Sequence, residues 1–558
     1  MNKRILIIGG YGVFGGRLAR LLLKDTRFGV LVAGRSIDKA KAFCKTYGGT
    51  PYQIDLTSDE LDKHIAACTP AIVVDAAGPF QAYDNETPYT LARAAIACGA
   101  HYLDLSDDGT FTQGIGSLNE DALAANVCVL SGVSSVPALS SSIVSSMTDD
   151  MTDIHHIESI ILPGNKAPRG LSVIRAIVAQ AGRPIKLWKN SQWTEVKGWG
   201  GQKRVALEIQ GERPIKNRWA SYIGAPDLVL FPQYFKARSV AFRAGLDLKL
   251  MHGGLAFLSL PVRWDWLGSI AGLSPLLKWI ADRLEPFGSD RGGMCVQVIG
   301  VTKAGAYETR DWTLMVEGGD GPFIPAIPAQ ILCGKLLTGD MPSGARAALN
   351  MFTRAEAEAA LCTLRLKTQA RHQPCARLFA SALGVSFETL PPPLQDLHTV
   401  LSDRRWVGEA SVERGKGFLS RLAALFAGFP PARNKTPVEV LMTRTDKGET
   451  WTRTFGNKVF CSYMSPAGQT GTGLISERFG LLKFTVALAV KDGALDYPVT
   501  GGSCLGIPLP KFLLPKSQTR EYVDAKGRAC FDVKISLPVA GHVVSYKGWL
   551  EDAAQANR

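Results

Sequence analysis

The sequence holds no C-x-x-C pair, no H-x-x-x-H or H-E-x-x-H, and no run of five like charges in its 558 residues. Its 11 cysteines are scattered and odd in number, so neither a disulfide framework nor a zinc site is expected, and no metal is assigned. Without a basic tail, nucleic acid is excluded as a partner. The uncharged stretch 122–147 carries eight Ser and a Pro, too polar for a membrane span of about 20 apolar residues. The opening MNKRILIIGG starts like a signal peptide, but its apolar run closes on glycines after four residues and reads as a strand. A cytoplasmic location is expected, with association at the cytoplasmic face of a membrane left open.

Apolar residues make up 46% of the chain and charged residues 20%. That mix excludes a disordered chain, a coiled coil and a collagen-like repeat. The length implies about three domains. The formal net charge of +13 is unevenly spread. Residues 1–130 carry 12 basic and 14 acidic side chains, 131–389 carry 29 and 21, and 390–558 carry 22 and 15. The surplus therefore lies outside the first domain, where it serves solubility, an anionic ligand or an anionic membrane surface.

Residues 1–130 alternate short apolar runs with helical spacing, a β-α-β-α rhythm. Strands that are apolar throughout imply a parallel sheet covered on both faces. Residues 131–361 read as a second α/β (α+β) domain, 362–389 as a linker, and 390–558 as an antiparallel β-rich, barrel-like domain. In that last part alternating runs recur, one helix at 417–427 precedes the strands, and Asp492-Gly493 and Lys526-Gly527 stand where hairpin turns are wanted.

The first strand runs into Gly9-Gly10-Tyr11-Gly12-Val13-Phe14-Gly15-Gly16 and then a helix. Gly10, Gly12 and Gly15 form G-x-G-x-x-G in the strand–turn–helix setting that gives this motif its meaning: a tight turn, a backbone able to approach a pyrophosphate, and close helix–strand packing. The second strand ends in Gly34-Arg35-Ser36. An acidic residue there would accept from a ribose 2′-hydroxyl; a guanidinium instead suits a 2′-phosphate, so NADP(H) is expected over NAD. Asp55, near the end of the third strand, is a candidate for the adenine amino group or a cap for the next helical segment. After the fourth strand, Ala77-Gly78-Pro79 are small enough for the backbone to pass under the nicotinamide ribose, or form a tight βα turn.

With these residues in view, GGYGVFGGRLA, AGRS, DAAGPF and YLDLSD resemble the NADP-binding domain of saccharopine dehydrogenase-like oxidoreductases, over about 1–150 and more weakly to about 360. The resemblance implies a Rossmann-type domain, an α/β domain completing a substrate cleft, and cofactor contacts from Gly10, Gly12, Phe14, Gly15, Arg35, Ser36, Asp55, Ala77, Gly78 and Pro79. True saccharopine reductases carry a Gly-Glu pair where this chain has Asp107-Asp108, and Asp-Pro-Gly where it has a Ser/Val-rich stretch at 132–137. The implied substrate is therefore not saccharopine. WTRTFG, ERFG, GIPLP and YKGWL resemble a bacterial domain of unknown function found fused to this family.

Asp107 and Asp108 come after the fifth strand, at the carboxyl edge where open α/β sheets bind ligands, and are candidates for substrate binding or proton relay, set against helix capping. Arg169 is a candidate for an anionic substrate group, set against a solvated side chain. No catalytic nucleophile is assigned. Residues 255–284 concentrate Leu, Phe and Trp among basic residues, giving either buried helices or an apolar ligand wall or membrane contact. The expected function is an NADP(H)-dependent oxidoreductase that reduces a C=O, C=N or C=C bond of a hydrophobic, lipid- or polyketide-like small molecule. The alternative is a non-catalytic NADP(H)-binding protein whose β module holds a lipid or partner. A membrane-surface scaffold is a third reading.

Overall fold

The computed structural model describes residues 3–83, 87–168, 170–426, 428–445 and 447–553. The chain divides into two compact units, Met1–Gln373 and Pro374–Arg558.

The first unit contains two sheets. One is built from β1 (Lys3–Ile8), β2 (Phe28–Gly34), β3 (Thr50–Gln53), β4 (Ile72–Asp75), β5 (His101–Asp104) and β6 (Cys128–Ser131), in the order β3-β2-β1-β4-β5-β6. All its ladders are parallel. Ile5 to Ile8 and Ile72 to Val74 are buried because helices cover both faces. The chain reverses its direction of progress across the sheet between β1 and β4, which opens a crevice at their carboxyl ends.

A seventh strand, Gly344–Ala347, pairs with β6. The first domain thus draws on residues well beyond 130. Short and rich in small residues, GARA carries no hydrophobic pattern. It is held instead by Gly344 N–H to the Val127 carbonyl and by the Asn119 side chain, which accepts from Ala345 N–H at 3.0 Å.

The second sheet has nine strands and is mixed, with Met151–Leu162 parallel to Val240–Leu246 and antiparallel to Gly292–Thr302. Its edge strand is Leu366–Pro374, inside the span expected to be a linker. That strand is largely exposed, so its polar residues fit a sheet edge as well as they fit a loop. The rest of the expected linker includes the helix Leu378–Leu383, whose Phe379 is fully buried in the core of the second unit.

The second unit is an antiparallel sheet of 13 strands. A strand, Asp403–Arg414, precedes the helix Phe418–Phe426, where the sequence reading had the helix come first. Near one end of the strand path lies Leu482–Ala487, and at the other end Ala489–Lys491. Only Leu488 separates these two segments, so the sheet must curl back on itself. No ladder among the described residues joins its first and last strands, so it is a curled sheet and not a hydrogen-bonded closed barrel. The interior is packed: Trp406, Trp451 and Phe455 from the strands meet Phe379 and Leu394 from short helices. Arg453 and Glu477 pair across it at 3.4 Å, the inter-strand charge pairing that W-x-R-x-F-G and E-R-F-G suggested.

Among the described residues, no helix is long and apolar enough to cross a membrane, and no cluster of three or more His, Cys, Asp or Glu is placed to hold a metal.

Candidate nucleotide and substrate site

The glycine loop is fixed by contacts that exclude side chains. Gly9 has φ of +73°, and a Cβ there would lie 2.7 Å from the Ala76 carbonyl oxygen. A Cβ on Gly10 would meet the Ile7 carbonyl at 2.8 Å, and one on Gly15 would collide with the Gly9 carbonyl. Gly12 differs: a Cβ there would touch only the Gly9 carbonyl, at 3.0 Å, with open space beyond. Gly15 thus keeps helix and strand close, while Gly12 leaves the loop surface bare toward the crevice. Phe14 is the N-cap of helix α1 (Gly15–Leu22), whose first N–H groups have no partners within the helix. Unpaired donors and the positive end of the helix dipole make that turn an anion site.

Arg35 is exposed just past β2, and no carboxylate among the described residues lies within ion-pair distance of it. Ser36 caps helix α2 (Ile37–Tyr47), accepting from Lys39 N–H at 3.4 Å. Two residues missed by sequence reading shape this corner. Tyr11 packs against Gly34, and its hydroxyl accepts from Ser36 N–H at 3.1 Å. Gln53 donates to the Arg35 carbonyl at 3.0 Å. Glycine loop and Arg35 corner are therefore one rigid piece, with a free guanidinium beside a phosphate-binding turn.

Residues 5–129 match the saccharopine dehydrogenase NADP-binding domain family.

Residues 390–550 match a domain of unknown function (DUF4166). No curated protein matches. Similar solved structures include apo saccharopine dehydrogenase (L-Glu forming) of Saccharomyces cerevisiae, 15% identical with a TM-score of 0.47, covering 66% of this chain and 100% of that one. Biliverdin reductase of Synechocystis sp. PCC 6803, in complex with biliverdin and NADP+, is 11% identical with a TM-score of 0.29, covering 65% and 96%. KijD10, a 3-ketoreductase of Actinomadura kijaniata in complex with NADP, is 14% identical with a TM-score of 0.28, covering 65% and 94%.

Within the NADP-binding domain, Ala77-Gly78-Pro79 come after β4 and face the glycine loop, since the Gly9 position abuts Ala76 and Ala77. Asp55 spends one carboxylate oxygen on a turn, accepting from Thr57 N–H at 3.0 Å and Thr57 Oγ1 at 2.9 Å. Those bonds, with a smaller contribution from Arg35, hold its pKa below the ordinary range. Asp108 is a helix cap, accepting from Phe111 N–H at 2.8 Å. Asp107 is exposed and accepts from Gln81 Nε2 at 2.9 Å, so of the two aspartates it alone keeps a carboxylate edge open. Arg169 lies outside the described residues.

Beneath the crevice are two further carboxyls. Asp75 and Asp104 stand opposite one another in register at the ends of β4 and β5, both fully buried. Asp75 accepts from Ala77 N–H at 3.0 Å and from the Tyr83 hydroxyl at 2.8 Å. Asp104 accepts on one oxygen from Ser106 N–H, Ser131 Oγ and Gly132 N–H, and its Oδ2 has no partner among the described residues. Burial pushes Asp75 up to about 6 and Asp104 up to about 7. A charged residue closing an otherwise apolar strand (IVVD, HYLD) was a readable signal for both.

The second sheet and its helices frame a cleft of about 470 Å³ lined by Trp199, Trp219, Ala256, Phe257, Leu260 and Arg263. Its floor is rigid. Trp199 Nε1 donates to the His252 carbonyl at 3.1 Å, and burial lowers the His252 pKa to about 4, keeping the ring neutral beside Ser221.

Proposed function

We propose that the protein is an NADPH-dependent reductase acting on a C=O, C=N or C=C bond of an apolar small molecule. The observation that carries this reading is the meeting of the glycine loop, the unpaired Arg35 and the Ala77–Pro79 turn at one crevice, at the point where strand order reverses. The residues fit the dinucleotide. The N–H groups at the start of α1 bind the pyrophosphate, Arg35 and Ser36 hold the 2′-phosphate, Asp55 lies toward the adenine, and Ala77, Gly78 and Pro79 leave room under the nicotinamide ribose. When bound, the dihydronicotinamide supplies a hydride.

Asp107, steadied by Gln81, orients the substrate or passes it a proton at the open carboxylate edge. Asp75 and Asp104 fix the shape of the crevice floor and make no contact with solvent. The Trp199–Trp219 cleft supports an apolar substrate, as does the absence of the Gly-Glu and Asp-Pro-Gly elements.

The test is NADPH oxidation by the purified protein over a panel of long-chain ketones, enones and imines, with polar amino-acid adducts alongside. Turnover confined to the amino-acid adducts would overturn the substrate class. Tight NADPH binding with no turnover on any compound would favour the non-catalytic reading, which the use of Asp108 as a cap and the sealing of Asp75 and Asp104 also support.

A further inference from the structure

Residues 249–287 form three short helices, Lys249–Leu258, Leu260–Arg263 and Ser274–Leu284, with turns between them. Their inner side is anchored: Leu255, Val262, Ile270 and Ala281 are buried. Their outer side is apolar and aromatic yet uncovered. Phe257 is 71% exposed, Trp266 73% and Phe287 76%, and Trp264, Leu276 and Trp279 are each more than half exposed. Single exposed apolar residues are ordinary, but so many from one short segment mark an interaction surface.

The segment is held together as one face. Trp264 and Trp266 stack at 5.0 Å, and the Arg283 guanidinium lies 5.1 Å from the Trp279 ring. Helix Leu171–Gln180 packs on Ser274–Leu284, Gly182 abuts Ser259 and Val262, and Arg183 donates to the Gly268 carbonyl at 2.9 Å.

The flank is strongly basic. Residues 171–217 carry nine Lys or Arg against three Asp or Glu. They supply that helix, the hairpin Pro184–Lys189 and Gln192–Lys197, and the strands beside them. Tryptophan with an apolar body and a polar N–H, basic side chains alongside, and helices far too short to cross a bilayer are the composition of an element lying in a membrane interface.

We infer that this face docks on the surface of an acidic phospholipid bilayer, with Phe257, Trp264, Trp266 and Trp279 entering the headgroup region and the 171–217 flank meeting the anionic charge. The inference goes beyond the reductase reading and stands without it, because an inactive protein would still bind vesicles. If both hold, the cleft that shares Phe257, Leu260 and Arg263 with this face opens where an apolar substrate resides.

The test is co-sedimentation of the full-length protein with phosphatidylcholine vesicles, with and without phosphatidylglycerol. Binding is expected to the acidic vesicles, with a blue shift of tryptophan emission, and raising the salt from 0.05 to about 0.5 M should weaken it several-fold. The triple variant Trp264→Ala/Trp266→Ala/Trp279→Ala should bind at least tenfold more weakly while melting like the wild type, since all three side chains are exposed. Absence of binding to acidic vesicles, or unchanged binding by the triple variant, overturns the inference. So does a concentration-dependent dimer of the wild type that the triple variant abolishes, because the face would then belong to a second copy of the chain.

Discussion

Gly12 and Gly15 lie three residues apart in one motif, and their surroundings predict opposite failures on mutation to alanine. The methyl group of Gly15→Ala would be driven into the Gly9 carbonyl and toward the Ala76 side chain at 3.1 Å. Most of what it meets is backbone of the same turn, which cannot swing aside as a flexible side chain would. Overpacking of this kind costs about 1–3 kcal/mol, and the rigid neighbours put this site near 3. The methyl group of Gly12→Ala meets one atom at 3.0 Å and otherwise points into open space. Its cost to the fold should stay below about 1 kcal/mol, but it stands where the pyrophosphate must approach, and a loss of at least tenfold in affinity corresponds to about 1.4 kcal/mol. Thermal unfolding and NADPH fluorescence titration separate the two. Gly15→Ala should lower the melting temperature by several degrees, whereas Gly12→Ala should melt nearly normally and bind NADPH at least tenfold more weakly. Normal melting of Gly15→Ala, or normal NADPH affinity in Gly12→Ala, would refute this account of the loop.

Asp104 carries a raised pKa, so the sign of its pH effect is fixed. Between its ordinary value near 4 and its folded value of about 7, the folded protein holds a proton that the unfolded chain has released, and stability falls as pH rises through that window. Three pH units bound the effect at about 4 kcal/mol, and Asp104→Asn should flatten the decline in denaturant unfolding between pH 4 and 7. Arg404 is buried in the second unit between Asp396 and Asp552, at 3.0 and 2.8 Å. Asp552→Ala leaves it only the half-exposed Asp396 and should cost about 3 kcal/mol in the unfolding of that unit. Thr353 and Glu356 form a capping box, and Thr353→Ala should lose about 1 kcal/mol by the same measurement.

The nucleotide domain was readable because its signals are local. A glycine's close neighbours lie within the same strand–turn–helix unit, and strands buried on both faces write their position as unbroken apolar runs. Gly344–Ala347 could not be read, because it joins the sheet through backbone pairing and the Asn119 side chain rather than through its own side chains. The 366–374 strand looked like a linker because an exposed edge makes no demand for apolar residues. At the site, spacing gave Arg35 its position but said nothing of Tyr11, whose hydroxyl reaches Ser36 only after the sheet has formed. Asp107 and Asp108 were equivalent as sequence. The helix beginning at Gly109 distinguishes them, taking Asp108 as its cap and leaving Asp107 toward the crevice. The apolar character of 255–284 was legible, but which side faces outward depends on the packing of helix 171–180.

The most direct test of the central claim is a pair of binding titrations, NADPH and NADH, on the wild type and on Arg35→Asp. If the free guanidinium beside the glycine loop holds the 2′-phosphate, the wild type should bind NADPH at least about a hundredfold more tightly than NADH, a difference of about 2.8 kcal/mol, and Arg35→Asp should shrink or invert that ratio. Equal affinities in the wild type, or a ratio unmoved by Arg35→Asp, would contradict it.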